Sequence, residues 1–332
     1  MKLKIYFGKM KYVKGEISMI KGNILVYSHT DLDGFGVNLI CNYIQNNYND
    51  VKFTIKNLNY DEINNVILED INNKTILSYN EVFITDISVN EEVAELLDNL
   101  YIKTNLFSNL HLFDHHKTAI WLNKYKWCKV SEVDTINNKK TSGTELFYDY
   151  LIFKYLNKEQ KLRGLIENIK LYDTWLWKEE NNIVPKKLND LFLLLGFEKF
   201  EKGLIKTNYN VEKFIKNNQL LLDVQQRQID KYIKEKNKQL ITIDIQGRKV
   251  GVVFADKYIS ELGNKLAELH NEIDIIAMVN NDVISYRSIG NKFENDCSEF
   301  AKLYLGGGHM NSSGSHIDKN ITYNYIKNLF EK

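Results

Sequence analysis

Proline occurs once in the 332 residues, at Pro185, and arginine four times, at Arg163, Arg227, Arg248 and Arg287, against forty lysines. Forty asparagines accompany the lysines, a bias that A/T-rich codons produce on their own. Lysine and asparagine runs, such as 72–73 or 137–140, therefore carry little functional weight, whereas an arginine in a suggestive place carries more. Cysteine is scarce too: Cys41, Cys128 and Cys297 are far apart, odd in number and form no Cys-x-x-Cys pair. That argues against a disulfide framework and points to a reducing cytosol. No apolar run approaches the roughly 18 residues that span a bilayer; 191–195 is among the longest. Residues 1–13 lack the apolar stretch and small-residue cleavage site of a signal peptide, so the expected location is cytoplasmic. Charge of one sign is also missing, because 44 basic and 43 acidic residues leave a net +1. This excludes a broad cationic surface for long duplex nucleic acid and leaves room for a small anion site.

What is present suits a globular α/β chain. Hydrophobic residues make up 44% and charged residues 26%, in a length that fits two domains. Short apolar runs at 24–28 (ILVYS), 51–55, 82–85 (VFIT), 110–113 (LHLF) and 127–130 read as strands. Helical patterns at 34–47 and 91–100 lie between them, which argues for a parallel sheet covered on both faces. Residues 142–239 read as mainly helical, with segments at 144–156 and 162–171, and Pro185 marks a loop within 178–187. A long amphipathic segment, 211–236, serves as a domain connector. Strand patterns return at 240–245, 249–254, 273–279 and 283–289, with a helix at 260–270, as a second and smaller α/β unit.

Ligands of parallel sheets bind beyond the strand C-terminal ends, and that is where this chain collects carboxylates and imidazoles. His29-Thr30-Asp31-Leu32-Asp33-Gly34 follows ILVYS, Asp86 follows VFIT, and Asp114-His115-His116 follows LHLF. Asp173 ends a helical stretch. In an extended turn, alternate side chains share a face, so His29, Asp31 and Asp33 can converge. Each alone reads as a helix cap, turn residue or satisfied core histidine. Together they crowd like charges into one crevice, which is costly unless divalent cations compensate. The absence of thiolate argues against structural zinc. Mixed carboxylate and imidazole suits manganese, with magnesium, cobalt or iron as alternatives. The set is large enough for two ions about 3.5–4 Å apart, the spacing that clamps the attacking and leaving oxygens of a phosphoryl displacement.

These motifs, in this order, resemble the DHH phosphoesterase family. Asp114-His115-His116 matches the motif that names it, His29-x-Asp31-x-Asp33-Gly34 its first, Asp86 its second and Asp173 its fourth. Gly306-Gly307-Gly308-His309 is similar to the GGGH motif of the associated DHHA1-type C-terminal domain, and Arg287 stands where that domain carries an Arg-Ser pair. The resemblance implies a parallel-sheet DHH catalytic domain at 1–185, a helical connector at 186–239, and a smaller α/β DHHA1-type domain at 240–332. It implies that His29, Asp31 and Asp86 hold one metal ion, that Asp33, His115 and Asp173 hold the other, and that Asp86 bridges. A water between the ions is then the nucleophile. His116 touches the phosphoryl oxygens, and Asp114 orients an imidazole.

The glycine run follows a helix-like stretch at 298–305, so it also reads as a helix C-cap and turn. Three glycines let backbone N–H groups approach a phosphate, with His309 as a further donor. A guanidinium at Arg287 suits phosphate by bidentate geometry; a structural ion pair is its other reading. Among family branches the resemblance is to nanoRNase-like enzymes that cut short oligonucleotides to mononucleotides. The neutral charge suits a short substrate better than a long strand in a basic groove. Cyclic mono- or dinucleotides and 3′-phosphoadenosine 5′-phosphate are the alternative substrates, and a non-catalytic nucleotide- or RNA-binding protein is the alternative class. No membrane or long duplex partner is expected, and a homodimer is left open.

Overall fold

The computed structural model describes residues 22–103, 109–134, 138–152, 161–280, 282–289 and 295–331. The chain forms two compact units, Met1–Gln219 and Leu220–Lys332.

The first unit is wound around five strands. These are β1 (Gly22–Ser28), β2 (Val51–Asn57), β3 (Glu81–Thr85), β4 (Leu110–Asp114) and β5 (Cys128–Val130). They pair in the order β2-β1-β3-β4-β5, every pair parallel. Alternation along each strand splits the core in two. Leu25, Tyr27, Val82, Ile84 and Leu112 face one side, where Ile63 and Ile67 of α2 (Ile63–Asn72) and Val93 and Leu97 of α3 (Glu91–Lys103) cover them. Ile24, Val26, Phe83 and Phe113 face the other side. There Val37 and Ile40 of α1 (Leu32–Asn47), Phe147 of α4 (Gly143–Leu151) and Ile166 of α5 (Arg163–Asp173) close over them. Being buried on both faces, β1, β3 and β4 read as continuous apolar runs. The strand order reverses at β1, whose neighbours on either side are β2 and β3, so the crevice at a topological switch point opens beyond the C-terminal ends of β1 and β3.

Local chemistry fixes the helix starts near that crevice. Asp31 caps α1 by accepting from Gly34 N at 2.9 Å, and Ser142 caps α4 by accepting from Glu145 N at 3.2 Å. Two glycines are required by close approach. A Cβ on Gly34 would lie 2.2 Å from the His29 carbonyl oxygen, and one on Gly143 would lie 2.4 Å from the Asp86 Cβ. Gly143→Ala is therefore expected to cost roughly 1–3 kcal/mol, as overpacking does. Thermal unfolding with and without manganese reads it, and a wild-type melting temperature would contradict the packing.

Two sequence expectations change. Pro185 does not mark a loop; it lies in the first turn of α7 (Val184–Lys206), where its missing N–H costs nothing. The 211–236 segment is two helices, α8 (Val211–Asn217) and α9 (Gln219–Asn237), which Asn218 separates. The helix expected over 144–156 is described as α4 to Leu151, and its remainder from 153 lies outside the described residues. A short helix, α6 (Leu176–Glu179), follows Asp173.

The second unit carries a six-stranded sheet. Its strands are β6 (Ile241–Ile245), β7 (Arg248–Phe254), β8 (Ile275–Val279), β9 (Val283–Arg287), β10 (Gly307–His309) and β11 (Ser312–His316), in the order β10-β11-β9-β8-β7-β6. Only β7 and β8 pair in parallel. α10 (Ile259–Leu269) packs on one face through Leu262 and Leu266, and α11 (Cys297–Lys302) on the other through Phe300. α12 (Lys319–Phe330) is the last described helix.

Candidate metal centre

The four sequence clusters meet at the C-terminal edge of the first sheet. Ligand atoms of His29, Asp31 and Asp86 lie within 4.8 Å of one another, and so do those of Asp33, His115 and Asp173. Asp86 faces both groups. Its Oδ2 is 3.9 Å from His29 Nδ1, and its Oδ1 is 3.3 Å from His115 Nε2. His115 Nε2 also lies 3.2 Å from Asp173 Oδ2 and 3.9 Å from Asp33 Oδ2. Asp86 is buried, with a left-handed backbone at φ 58°, a conformation rare outside glycine and one that aims its carboxylate off the end of β3.

Asp33 is held from far along the chain. Its Oδ2 accepts from Gly143 N at 2.6 Å and its Oδ1 from Thr144 N at 3.2 Å, at the positive end of α4. Asp114 is held more completely. Its Oδ1 accepts from His115 N (2.7 Å), His116 N (3.1 Å) and His116 Nδ1 (2.7 Å), and Ser88 Oγ donates to its Oδ2. Asp114 thus spends its lone pairs on fixing the His115–His116 backbone and the His116 imidazole. With Nδ1 tied to Asp114, His116 turns Nε2 outward, and its side chain is 39% exposed.

Crowded carboxylates dominate the electrostatics. Burial, then the carboxylates of Asp33, Asp31 and Asp173, drive the Asp86 pKa well above the usual range. Burial and the same kind of neighbours push Asp173 up to about 8. Burial lowers the His115 pKa. Burial alone would lower His116 too, but the hydrogen bond and charge of Asp114 outweigh it and raise that imidazole.

The donor set fits divalent cations. His29 Nδ1, both oxygens of Asp86, His115 Nε2 and Asp173 Oδ2 are buried without a hydrogen-bond partner. Buried polar atoms are normally paired, and these converge in two groups that share one carboxylate. Oxygen and imidazole donors without thiolate suit manganese or magnesium.

Sequence reasoning misses other contributors. Tyr60, in the loop after β2, reaches His116 Nε2 with its hydroxyl at 3.5 Å, and its ring sits 5.2 Å from that of His29. Burial and the surrounding carboxylates raise its pKa above the ordinary phenol range. The strand-end rule that finds Asp86 reaches this loop as well, once aromatic residues are collected beside acids and histidines. Lys170, buried on α5, pairs with Glu145 and Glu167 at 2.8 Å each and so ties α5 to α4 beneath the centre.

The remaining expected residues lie in the second unit. Gly307–His309 forms the edge strand β10 rather than a free loop. A Cβ on Gly308 would fall 2.6 Å from the Ser313 Cα, so the hairpin partner explains that glycine. His309, Ser312 and Arg287 stand directly opposite one another across three strands. Arg287 donates to the Tyr286 carbonyl at 2.9 Å and to Ser260 Oγ at 3.2 Å. It makes no ion pair among the described residues, and burial lowers its pKa.

A parallel sheet with this carboxylate and imidazole cluster at its C-terminal edge defines a metal-binding phosphoesterase of the DHH type. No family model matches the chain. It is 32% identical over 315 residues to the oligoribonuclease NrnB of Bacillus subtilis, an alignment that covers 92% of this chain and 75% of that one. The fold is shared with solved structures, two RecJ exonucleases among them. One is the exonuclease RecJ bound to manganese, at 15% identity, TM-score 0.52, and 92% and 88% coverage of this chain and that one. The other is RecJ from Thermus thermophilus in complex with Mn2+, at 14% identity, TM-score 0.50, and 92% and 51% coverage. The chain belongs to the DHH phosphoesterase family, as an NrnB-like member, and is a hydrolase of that family. No described helix is long and apolar enough to cross a membrane.

Proposed function

We propose that this hydrolase is a two-metal phosphodiesterase that cuts short oligonucleotides to mononucleotides. The observation that carries the reading is the set of unpartnered buried donor atoms, from His29, Asp86, His115 and Asp173, that falls into two ligand groups meeting at Asp86. The relative named an oligoribonuclease supports the substrate class. His29, Asp31 and Asp86 hold one divalent ion, and Asp33, His115 and Asp173 hold the other, with Asp86 common to both. When bound, such ions neutralise phosphoryl charge and lower the pKa of a water. His116 presents Nε2 to a phosphoryl oxygen, and Asp114 keeps that imidazole oriented and favours its charged form. Asp33 keeps its place through the α4 amides.

In this reading residues 1–185 bind metal, 186–239 connect, and 240–332 hold the nucleotide end. Arg287, with its donors uncommitted to any carboxylate among the described residues, takes a phosphate; Gly306, Gly307, Gly308 and His309 provide small or donating neighbours. Manganese is the preferred ion of the proposal. Cyclic nucleotides and 3′-phosphoadenosine 5′-phosphate fit the same donor set and are separated by assay. Product analysis with manganese across dinucleotides, longer oligomers, cyclic nucleotides and 3′-phosphoadenosine 5′-phosphate is expected to show fastest turnover on the shortest oligomers, on the order of 1–1000 per second. Absence of turnover on every short substrate would instead support a nucleotide-binding protein.

A further inference from the structure

Tyr60 is an aromatic residue on the rim of the metal centre that no step above uses. Its loop is built, not loose. Asn57 Nδ2 donates to the His29 carbonyl at 2.8 Å, and Thr30 Oγ1 donates to Asn59 Oδ1 at 2.7 Å. Asn59 N donates to Glu62 Oε2 at 2.8 Å, which closes the turn ahead of α2. These bonds tie the loop to the same segment that supplies His29 and Asp31. The Tyr60 ring therefore rests at a fixed place, tilted against His29 at 5.2 Å and edge-on to His116 at 6.1 Å. Half of the residue is exposed, at 50%, so the ring is not there to fill core. Its hydroxyl stands 3.5 Å from His116 Nε2, too far for a strong bond between the two. Two polar atoms so placed can share one incoming oxygen.

We propose that Tyr60 is a substrate-contacting residue, its hydroxyl donating to a non-bridging oxygen of the phosphate that His116 Nε2 also touches. The proposal rests on the phosphodiesterase reading for its substrate, but the contact itself is to phosphate. Phenylalanine at this position keeps the ring against His29 and removes only the donor. His116 stays oriented in that variant because Asp114 holds its Nδ1 at 2.7 Å.

Tyr60→Phe is compared with wild type in two measurements. The first titrates inorganic phosphate into manganese-loaded protein, with manganese affinity read beforehand by electron paramagnetic resonance. The second is dinucleotide kinetics. The expected result is unchanged manganese affinity, weaker phosphate binding, and kcat/KM down roughly 10- to 100-fold, the worth of one hydrogen bond to a charged group. Wild-type phosphate affinity in the variant overturns the proposal. So does a loss of manganese affinity that accounts for the whole effect, since Tyr60 would then act only through His29. If wild type cleaves no dinucleotide, the substrate reading fails while the phosphate titration still decides the Tyr60 contact.

Discussion

Asp86→Asn is expected to give a protein that is inactive with manganese yet more heat-stable than wild type without it. Asp86 is 1% exposed and neither of its oxygens has a hydrogen-bond partner. Three further carboxylates, Asp33, Asp31 and Asp173, oppose its ionisation. Asparagine keeps the shape and removes the charge, so the metal-free fold is relieved of repulsion and desolvation. The gain grows with pH, because wild-type Asp86 escapes the penalty by holding a proton at lower pH. Calorimetry over a series of rising pH reads the trend, and each kcal/mol gained raises the melting temperature of a unit of this size by about 2–4 °C. With metal the sign reverses. A shared ligand is lost, and several kcal/mol of charge stabilisation with it, so turnover falls at least about 1000-fold. A variant that retained turnover would remove Asp86 from the centre. A variant less stable than wild type without metal would show that the carboxylates are not in conflict.

Manganese affinity is expected to climb at least about tenfold per pH unit between roughly pH 6 and 8, with a break near pH 8 and a shallower rise beyond it while Asp86 still has a proton to lose. Asp173 supplies the transition, since burial and then Asp33 and Asp31 push its pKa up to about 8 in the metal-free fold. Its folded pKa lies above the unfolded one, so the folded state binds more protons in the interval between them. The stability of the metal-free protein therefore falls as pH rises from about 4 toward 8. Metal binding displaces that proton, which is why affinity rises over the upper part of the same interval. Titration of manganese in buffers of differing ionisation heat reads the proton released. Asp173→Asn is expected to weaken binding at every pH and to abolish the proton release assigned to this site. A pH-independent affinity in wild type would contradict the assignment.

The sequence shows most of this centre because of where the strands end. β1, β3 and β4 are largely apolar on both faces, so their limits stand out; His29 and Asp86 come directly after β1 and β3, and Asp114 closes β4. What supports those residues is less visible. Gly143 and Thr144 reach Asp33 through backbone amides, and a backbone donor leaves no side-chain signature. Tyr60 follows β2, an edge strand with mixed burial whose limits are blurred. Pro185 is open to two readings because a proline punctuates a loop and begins a helix equally well. Asn218 breaks α8 from α9 without glycine or proline, so periodicity runs through it. The glycine run is legible as a motif, but its strand form depends on a hairpin partner, Ser312–His316, whose pairing no local pattern announces.

The contact between Gly143 and the Asp86–Asp33 pair has a consequence for how the first unit is assembled. Asp33 sits near the start of α1 and Gly143 opens α4, 110 residues later, yet one hydrogen bond of 2.6 Å joins them. The donor atoms of the centre come from the ends of the early strand β1 and the middle strands β3 and β4, and from the late helix α5. A chain nicked between β4 and α4 would keep His29, Asp31 and Asp86 on one piece. Asp33 and His115 would stay with them, but Asp173 and the amides that hold Asp33 would leave on the other. Full metal uptake would then require both pieces to come back together. It is a report on their complementation, and the centre works as a fastener for a fold whose parts are distant in sequence.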